Sequence, residues 1–176
     1  FLFKANKNTT FLLYSIMIQA ITESSFNAYI NTEANRIDTS VASTQIRHLM
    51  KFTNDLDGAV SYAYAGTETI TDRYTLLQFF YAAAPDMYAG QTKLLPAGYY
   101  KYEAWEVAWA GTVTVSSGNA PATESDVLSP PASTKGIVQG LVAIGKMYVA
   151  EKSGTEQVQY KQHTETSGTN YIWYGQ

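Results

Sequence analysis

Residues 99–110 read YYKYEAWEVAWA, and this stretch decides the fold class. Every second residue of an extended strand lies on the same face, so the stretch presents one face with Tyr, Glu, Trp and Val side chains. The residues of that face are Tyr99, Glu103, Trp105, Val107 and Trp109. The preceding Pro96-Ala97-Gly98 is a turn signal. The pattern predicts a β-strand whose two faces have different surroundings.

Further β-type segments lie on both sides of this strand, all after residue 45. Residues 46–56 alternate and end at the turn dipeptide Asp57-Gly58. Residues 73–82, RYTLLQFFYA, are apolar almost throughout, which predicts a strand buried on both faces. Short strands at turn-separated intervals, with no helical segments between them, are typical of an all-β fold. We expect an antiparallel β-sandwich, jelly-roll or Ig-like. The other expected strands are 60–64, 91–95, 112–115, 137–151, 157–164 and 171–174.

The first 45 residues differ from this pattern and predict an N-terminal extension. Between residues 22 and 37 the apolar side chains recur at helical spacing, which favours a short amphipathic helix. Period two through Phe26, Ala28 and Ile30 fits almost as well, so an irregular arm is the alternative. We therefore predict an arm or short helix over 1–45 and a β-sandwich domain over 46–176.

Residues 1–16 allow three interpretations. The chain begins with Phe, and Met17 follows a segment rich in Phe, Leu, Lys, Asn and Ile, so Met17 is a candidate for the natural start. The second interpretation is an N-terminal strand or arm. The third is a signal peptide, with Lys4 and Lys7 before an apolar run. That run is shorter than the about 20 residues that span a bilayer.

Residues 116–136 contain no aromatic side chain and include Ser-Gly-Asn-Ala-Pro and Ser-Pro-Pro. They offer little to bury, so we expect an exposed loop. Loops of about this length inside a compact domain are usually functional or mobile.

Composition excludes several classes of protein. The 176 residues include 14 Tyr and no Cys, and only 15% are charged, with a net charge of −3. The absence of Cys excludes disulfide scaffolds, thiolate zinc sites, iron–sulfur clusters and cysteine nucleophiles. A nucleic-acid-binding module would show a basic stripe, which this chain lacks. We expect no cofactor, no nucleic-acid partner and no membrane partner.

No catalytic or metal motif emerges from the remaining residues. His48 and His163 have no Asp, Glu or His at ligand spacing, so ordinary strand positions are expected for both. Glu103 and Glu106 point to opposite faces of one strand and cannot flank one sugar. Lys101 and Glu103 share a face, which predicts an ion pair or cross-strand partners on the more solvated side of the sheet. A G-x-S-x-G elbow is also absent, so we predict that the protein is not an enzyme.

The aromatic clusters have two interpretations. Exposed rings would form a sugar-stacking platform or a protein interface, whereas buried rings would form the core. Alternation assigns about half of them to the core and leaves the others as interface candidates. The candidate interface residues are Tyr99, Tyr100, Tyr102, Trp105, Trp109, Tyr171, Trp173 and Tyr174.

The order of several motifs resembles the small all-β virion structural proteins of tailed bacteriophages. These motifs are FTNDLDG at 52–58, YAY at 62–64, RYT at 73–75, PAGYYKYE at 96–103 with WEV at 105–107, VQY at 158–160 and NYIWYG at 170–175. The resemblance covers about residues 47–176 and brings no known site. It implies a non-enzymatic virion component, in capsid decoration or the head–tail region, whose partners are other virion proteins and copies of itself.

Two other functions stay open at this point. A glycan-binding or adhesive module of a phage fibre or bacterial surface would place Trp and Tyr in an exposed groove. A hydrolase would need His48 or His163 beside acids and a serine.

Overall fold

A computed structural model describes residues 17–153, and the fold is given for these residues. They form nine β-strands, together with single 3-10 turns at Glu33–Asn35, Ser43–Gln45 and Met87–Ala89. The strands are β1 (Ile18–Ile21), β2 (Phe26–Ile30), β3 (Ile46–Asn54), β4 (Val60–Tyr64), β5 (Thr67–Ile70), β6 (Thr75–Tyr81), β7 (Gln91–Thr92), β8 (Gly98–Ala108) and β9 (Ile137–Ala150). The all-β prediction is confirmed.

The strands form two sheets. The larger sheet has the order β1-β9-β8-β3-β4, and the smaller has the order β2-β6-β5 with β7 beside β6. Most neighbouring strands are antiparallel, but β1 runs parallel to β9 and β7 runs parallel to β6. The expected antiparallel arrangement is therefore wrong for these two pairs.

The helix expected between residues 22 and 37 is wrong, because β2 and one 3-10 turn occupy this segment. Period two prevails since Phe26, Ala28 and Ile30 all point into the core. Strand β1 pairs with β9 and β2 with β6, so both strands before residue 46 are bonded to strands after it. The interpretations of residues 1–16 and the strands expected at 157–164 and 171–174 lie outside the described residues.

Strands of both sheets contribute side chains to one hydrophobic core. Three phenylalanine rings meet there: Phe26 stacks on Phe79 at 5.1 Å between centroids, and Phe52 of the larger sheet meets both edge-on. Such pairs add roughly 0.5–1.5 kcal/mol beyond the area they bury. The smaller sheet uses only one face for this core. Phe80 on the other face is 45% exposed, so the prediction that residues 73–82 are buried on both faces is wrong.

A second apolar cluster lies on the opposite face of the larger sheet, under the segment 109–136, which we call the strap. Trp109 is fully buried there beside Leu49 and Val107. The Tyr64 hydroxyl of β4 donates to the Pro121 carbonyl of the strap (2.8 Å), and within the strap the Gly136 amide donates to the Asn119 carbonyl (2.8 Å).

Residues 116–136 form a loop without strand or helix, as expected, and residues 129–134 are exposed. The loop is not exposed throughout, because Ala120 and Pro121 are buried against the sheet. Residues 112–115 form no strand.

Candidate interaction surface

The strap leaves one part of the larger sheet's outer face uncovered, where β1, β9 and the start of β8 lie side by side. Tyr99 on β8 and Tyr148 on β9 are directly opposite each other in the register, and their ring centroids are 5.1 Å apart. Tyr99 is 58% exposed, and Ile21 on the neighbouring strand β1 is 50% exposed. An aromatic pair held on two bonded strands therefore faces solvent.

Two lysines form the next cross-strand row of this surface. Lys101 and Lys146 are directly opposite, an arrangement that is unfavourable for like charges unless counter-charges lie close. Each has one: Lys101 Nζ is 2.5 Å from Glu103 and Lys146 Nζ is 2.6 Å from Asp55. The ion pair predicted between Lys101 and Glu103 is confirmed. We call the surface formed by Ile21, Tyr99, Lys101, Lys146 and Tyr148 the tyrosine–lysine face.

The neighbours of Glu103 determine the pKa of its carboxyl group. Burial acts to raise the pKa of Glu103, but the hydrogen bond from Lys101 and the charges of Lys101 and Lys51 outweigh it and hold the pKa below its usual value. Glu103 therefore stays ionised near neutral pH, and the charges on this face are balanced.

The structure separates the residues predicted for the interface. Tyr99 is exposed, and Trp105 is half-buried against the cluster beneath the strap. Tyr100, Tyr102 and Trp109 are buried, so they are not available for surface contacts, which corrects their place among the candidates. Tyr100 and Tyr102 point into the hydrophobic core. Side chains alternate between the two faces of β8, so these two lie on the face that Tyr99 does not occupy. Tyr171, Trp173 and Tyr174 lie outside the described residues.

Tyr148 belongs to this surface and was not singled out from the sequence. Its partner Tyr99 is 49 positions away, and only the register of β8 with β9 brings the two rings together. A sequence shows which residues share a face of one strand, but the register between distant strands also depends on the bulges in β8–β9, which fall at Ala104/Trp105 and Glu106/Val107.

His48 has acidic neighbours that the sequence analysis did not find. Its Nδ1 is 2.7 Å from Glu68 Oε1, and its backbone amide donates to Glu68 Oε2 at 3.2 Å. Glu106 lies opposite His48 on β8 and accepts the amides of Ile37 and Asp38 at 3.0 and 2.8 Å. The side chains of His48 and Glu68 are only 2% and 1% exposed. The described contacts of these groups satisfy buried polar atoms between the sheets.

A carboxylate of the strap provides a second attachment to the outer face of the larger sheet. Glu124 is 2.5 Å from Lys51 Nζ and accepts a hydrogen bond of 2.6 Å from the Tyr62 hydroxyl. Burial acts to raise the pKa of Glu124, but the hydrogen bonds from Lys51 and Tyr62 prevail and lower it to about 2. The carboxylate is thus a charged anchor for the strap.

Cavities lie elsewhere on the described part of the chain. One of about 230 Å³ lies between residues 124–132 of the strap and the start of β9, beside the exposed Val127 and Ile137. The other, of about 460 Å³, lies between residues 34–36 and 141–144 of β9, where Asn35 Nδ2 donates to the Val142 carbonyl at 2.8 Å.

Residues 17–153 contain no group of three or more His, Asp or Glu side chains that could hold a metal ion. In the same part of the chain, no helix is long and apolar enough to cross a membrane. No protein-family profile, no curated protein and no solved structure matches this chain.

Proposed function

We propose that this protein is a non-enzymatic structural component of a tailed-phage virion, in capsid decoration or the head–tail region, and that it contacts neighbouring virion proteins through the tyrosine–lysine face. The observation that carries the proposal is the exposed pair Tyr99–Tyr148, which stays uncovered on a sheet face that the strap otherwise protects. The order of β-strand motifs that resembles virion proteins supports the setting. The proposal includes a β-sandwich of jelly-roll or Ig-like type, supported by the core that the two sheets share.

The chemistry of this face suits attachment to a protein. Tyrosine rings contribute a large contact area at a low cost in side-chain entropy, and tyrosine is enriched in protein interfaces. The row Lys101–Lys146 with its carboxylates provides charged groups beside the rings. Charges at the edge of an interface select partners and orientations more than they add affinity.

The small area of the tyrosine–lysine face limits the affinity of a single contact. Three strands about 4.8 Å apart and some six residues long give a footprint of roughly 300 Å². Stable pairs of proteins bury about 800 Å² on each partner, so one such contact is weak. Attachment to a symmetric particle compensates for this, because many copies and several contacts per copy add avidity.

The proposal is tested by co-sedimentation with tailed-phage particles purified from the protein's own source. The wild type is expected to sediment saturably with the particles. We expect the double variant Tyr99→Ala/Tyr148→Ala to lose at least about tenfold in binding, since a hot-spot pair is worth about 1.4 kcal/mol or more. Val127→Ala is the control, because Val127 is 91% exposed in the strap and is not one of the residues of the face. Absence of the protein from purified particles would contradict the proposal.

A glycan-binding or adhesive role is the second candidate, and one observation favours it. The exposed tyrosine pair lies beside the Asp55–Lys146 ion pair, so aromatic and hydrogen-bonding groups are adjacent. A glycan array decides between the roles, with the Tyr99→Ala/Tyr148→Ala variant as the matched control. Saturable binding to a defined sugar that this variant loses would favour the glycan-binding role.

A further inference from the structure

Tyr99 and Tyr148 form the closer of the two kinds of residue pair that an antiparallel sheet contains. The Tyr99 carbonyl accepts the amide of Asp55, which follows β3 on the other side of β8, at 2.9 Å. The backbone groups of Tyr99 therefore point away from β9, although the two tyrosines are directly opposite in the register. Opposite residues that do not bond each other have Cα atoms about 4.5 Å apart, against about 5.5 Å in bonded pairs. The register thus brings the two side chains as close as the sheet allows.

The two rings are in contact with each other and are also open to solvent. Their centroids are 5.1 Å apart and their planes are tilted by 48°, which is within the range of contacting aromatic rings. Tyr99 is 58% and Tyr148 is 38% exposed. A reagent in solution therefore reaches both phenols, and water can accept the protons that they release.

Two other tyrosine pairs in the described residues lack one of these properties. Tyr64 stacks on Tyr88 at 6.2 Å, but Tyr64 is only 1% exposed. Tyr29 and Tyr74 are both exposed, but their rings meet edge-on at 5.6 Å, and Tyr74 lies in the turn before β6 rather than on a paired strand. The pair on β8 and β9 combines ring contact, exposure and a fixed cross-strand register.

Two exposed phenols in contact are the reactants of an oxidative coupling. A one-electron oxidant takes one electron from each ring, and each hydroxyl releases its proton to water. The two radicals join through the ring carbons next to the oxygens, and these carbons then lose their hydrogens as protons while the oxygens regain theirs. The net loss of two electrons and two protons is balanced by one hydrogen peroxide, which is reduced to two waters. The chain has no Cys that would consume the oxidant.

We propose that Tyr99 and Tyr148 are an oxidative cross-linking site, at which a haem peroxidase with hydrogen peroxide joins the two rings by one carbon–carbon bond. The bond connects β8 and β9, the longest strands of the described residues, and closes a covalent loop over residues 99–148 that includes the strap. As with a disulfide, such a link restricts the unfolded chain and so stabilises the folded one. The inference concerns the free chain and does not depend on attachment of this face to a virion.

The test is treatment of the full chain with a haem peroxidase and hydrogen peroxide, followed by digestion with trypsin and mass spectrometry. The chain is used at about 1 µM, far below the millimolar effective concentration of groups held in one molecule. Trypsin cleaves after Lys and Arg, so Tyr99 lies in the peptide 94–101, LLPAGYYK, and Tyr148 in the peptide 147–152, MYVAEK. We expect these two peptides to be joined with the loss of two hydrogens, in a product that has the mass of a monomer.

Two conservative variants locate the bond. Tyr99→Phe and Tyr148→Phe keep the rings and remove the hydroxyls, so we expect each variant to lose the joined peptides. Tyr29→Phe is the matched control, because it makes the same change in another exposed pair, and it should leave the yield unchanged. Wild-type chain denatured in urea should lose at least about tenfold in yield, since the two rings are no longer held together.

Several results would overturn the proposal. Joined peptides that persist in Tyr99→Phe would show that another tyrosine reacts, and a product formed mainly between copies would show that the rings on one chain do not couple. An equal yield from the denatured chain would mean that the register is irrelevant. The joined product should also have a higher Tm than the untreated chain, and an unchanged Tm would contradict the stabilising role. Particle binding is measured separately by co-sedimentation, so its failure leaves this inference intact.

Discussion

Gly90 is the residue whose backbone constrains the fold most tightly. It follows the 3-10 turn Met87–Ala89 with a φ of +77°, in the left-handed region that favours glycine. A Cβ at this position would overlap the backbone nitrogen and Cα of Gly66. Gly66 lies between β4 and β5, where the chain passes from the larger sheet to the smaller one. The two glycines therefore allow this crossing to pack against the turn.

We predict that Gly90→Ala lowers the free energy of unfolding by more than about 3 kcal/mol, because backbone strain and a backbone clash act together. Gly58→Ala is the matched control: Gly58 has a φ of +72°, but a Cβ there would meet nothing within 4 Å. Strain alone should cost this control about 1–2 kcal/mol. Urea denaturation measures both values, and equal losses in the two variants would show that the approach to Gly66 does not matter.

At the scale of elements, the strands that the sequence predicted are those with a strong local pattern of alternating side chains. Strand β4 was expected at its observed bounds, and β3 and β8 nearly so, because alternation with turn dipeptides is a local signal. The short strand β5 has no such local signal. Thr67 and Thr69 point to solvent and carry no hydrophobic signal, so pairing with β6 alone defines this strand.

The attachment of the strap to the sheet could not be predicted from the local sequence pattern. The strap has few apolar side chains besides its own Trp109, yet it covers Leu49 and Val107 of the sheet. Its attachment depends on long-range polar contacts, since Glu124 lies 73 residues from Lys51 and 62 from Tyr62. Neither partner could be identified from spacing along the chain.

Attachment of the strap should depend on pH through Glu124. The folded-state pKa of Glu124 is about 2, below the ordinary value of 4.5. A carboxyl whose pKa is lowered by folding contributes stability above its unfolded value, and this contribution is lost as pH falls through the folded value. We predict that Glu124→Gln lowers the free energy of unfolding by about 1–3 kcal/mol at pH 7. The difference from wild type should shrink between pH 4.5 and about 2.

Urea denaturation at several pH values measures this difference. Glu33→Gln is the control, because Glu33 is 3.9 Å from Arg36 in a weak surface pair and should change stability little at any pH. A loss in Glu124→Gln that stays constant down to pH 2 would mean that the ionised carboxylate is not what fixes the strap.

At the scale of the whole molecule, strands of both sheets contribute to one hydrophobic core, and the outer face of the larger sheet carries the strap and the tyrosine–lysine face. The strap covers apolar side chains of the larger sheet. It thereby limits the exposed apolar area, which opposes non-specific aggregation.

The first two strands are required for this arrangement. Strand β2 supplies Phe26 to the aromatic core and pairs along its whole length with β6, and β1 pairs with the end of β9. We predict that a chain beginning at Met17 unfolds cooperatively, whereas a chain beginning at residue 46 does not fold. Loss of Phe26 alone leaves a cavity beside Phe52 and Phe79, at an expected cost of about 3–5 kcal/mol.

Thermal unfolding followed by near-ultraviolet circular dichroism measures these variants, because the signal reports fixed aromatic packing. Full-length Phe26→Ala is the intermediate case and is expected to fold with a lower Tm. Asn27→Ala, on the solvent side of β2, is the control and is expected to leave the Tm unchanged. A cooperative transition in the chain that begins at residue 46 would contradict the prediction. It would mean that the larger sheet can close its core without β2, and that the contacts of Phe26 with Phe52 and Phe79 are dispensable for folding.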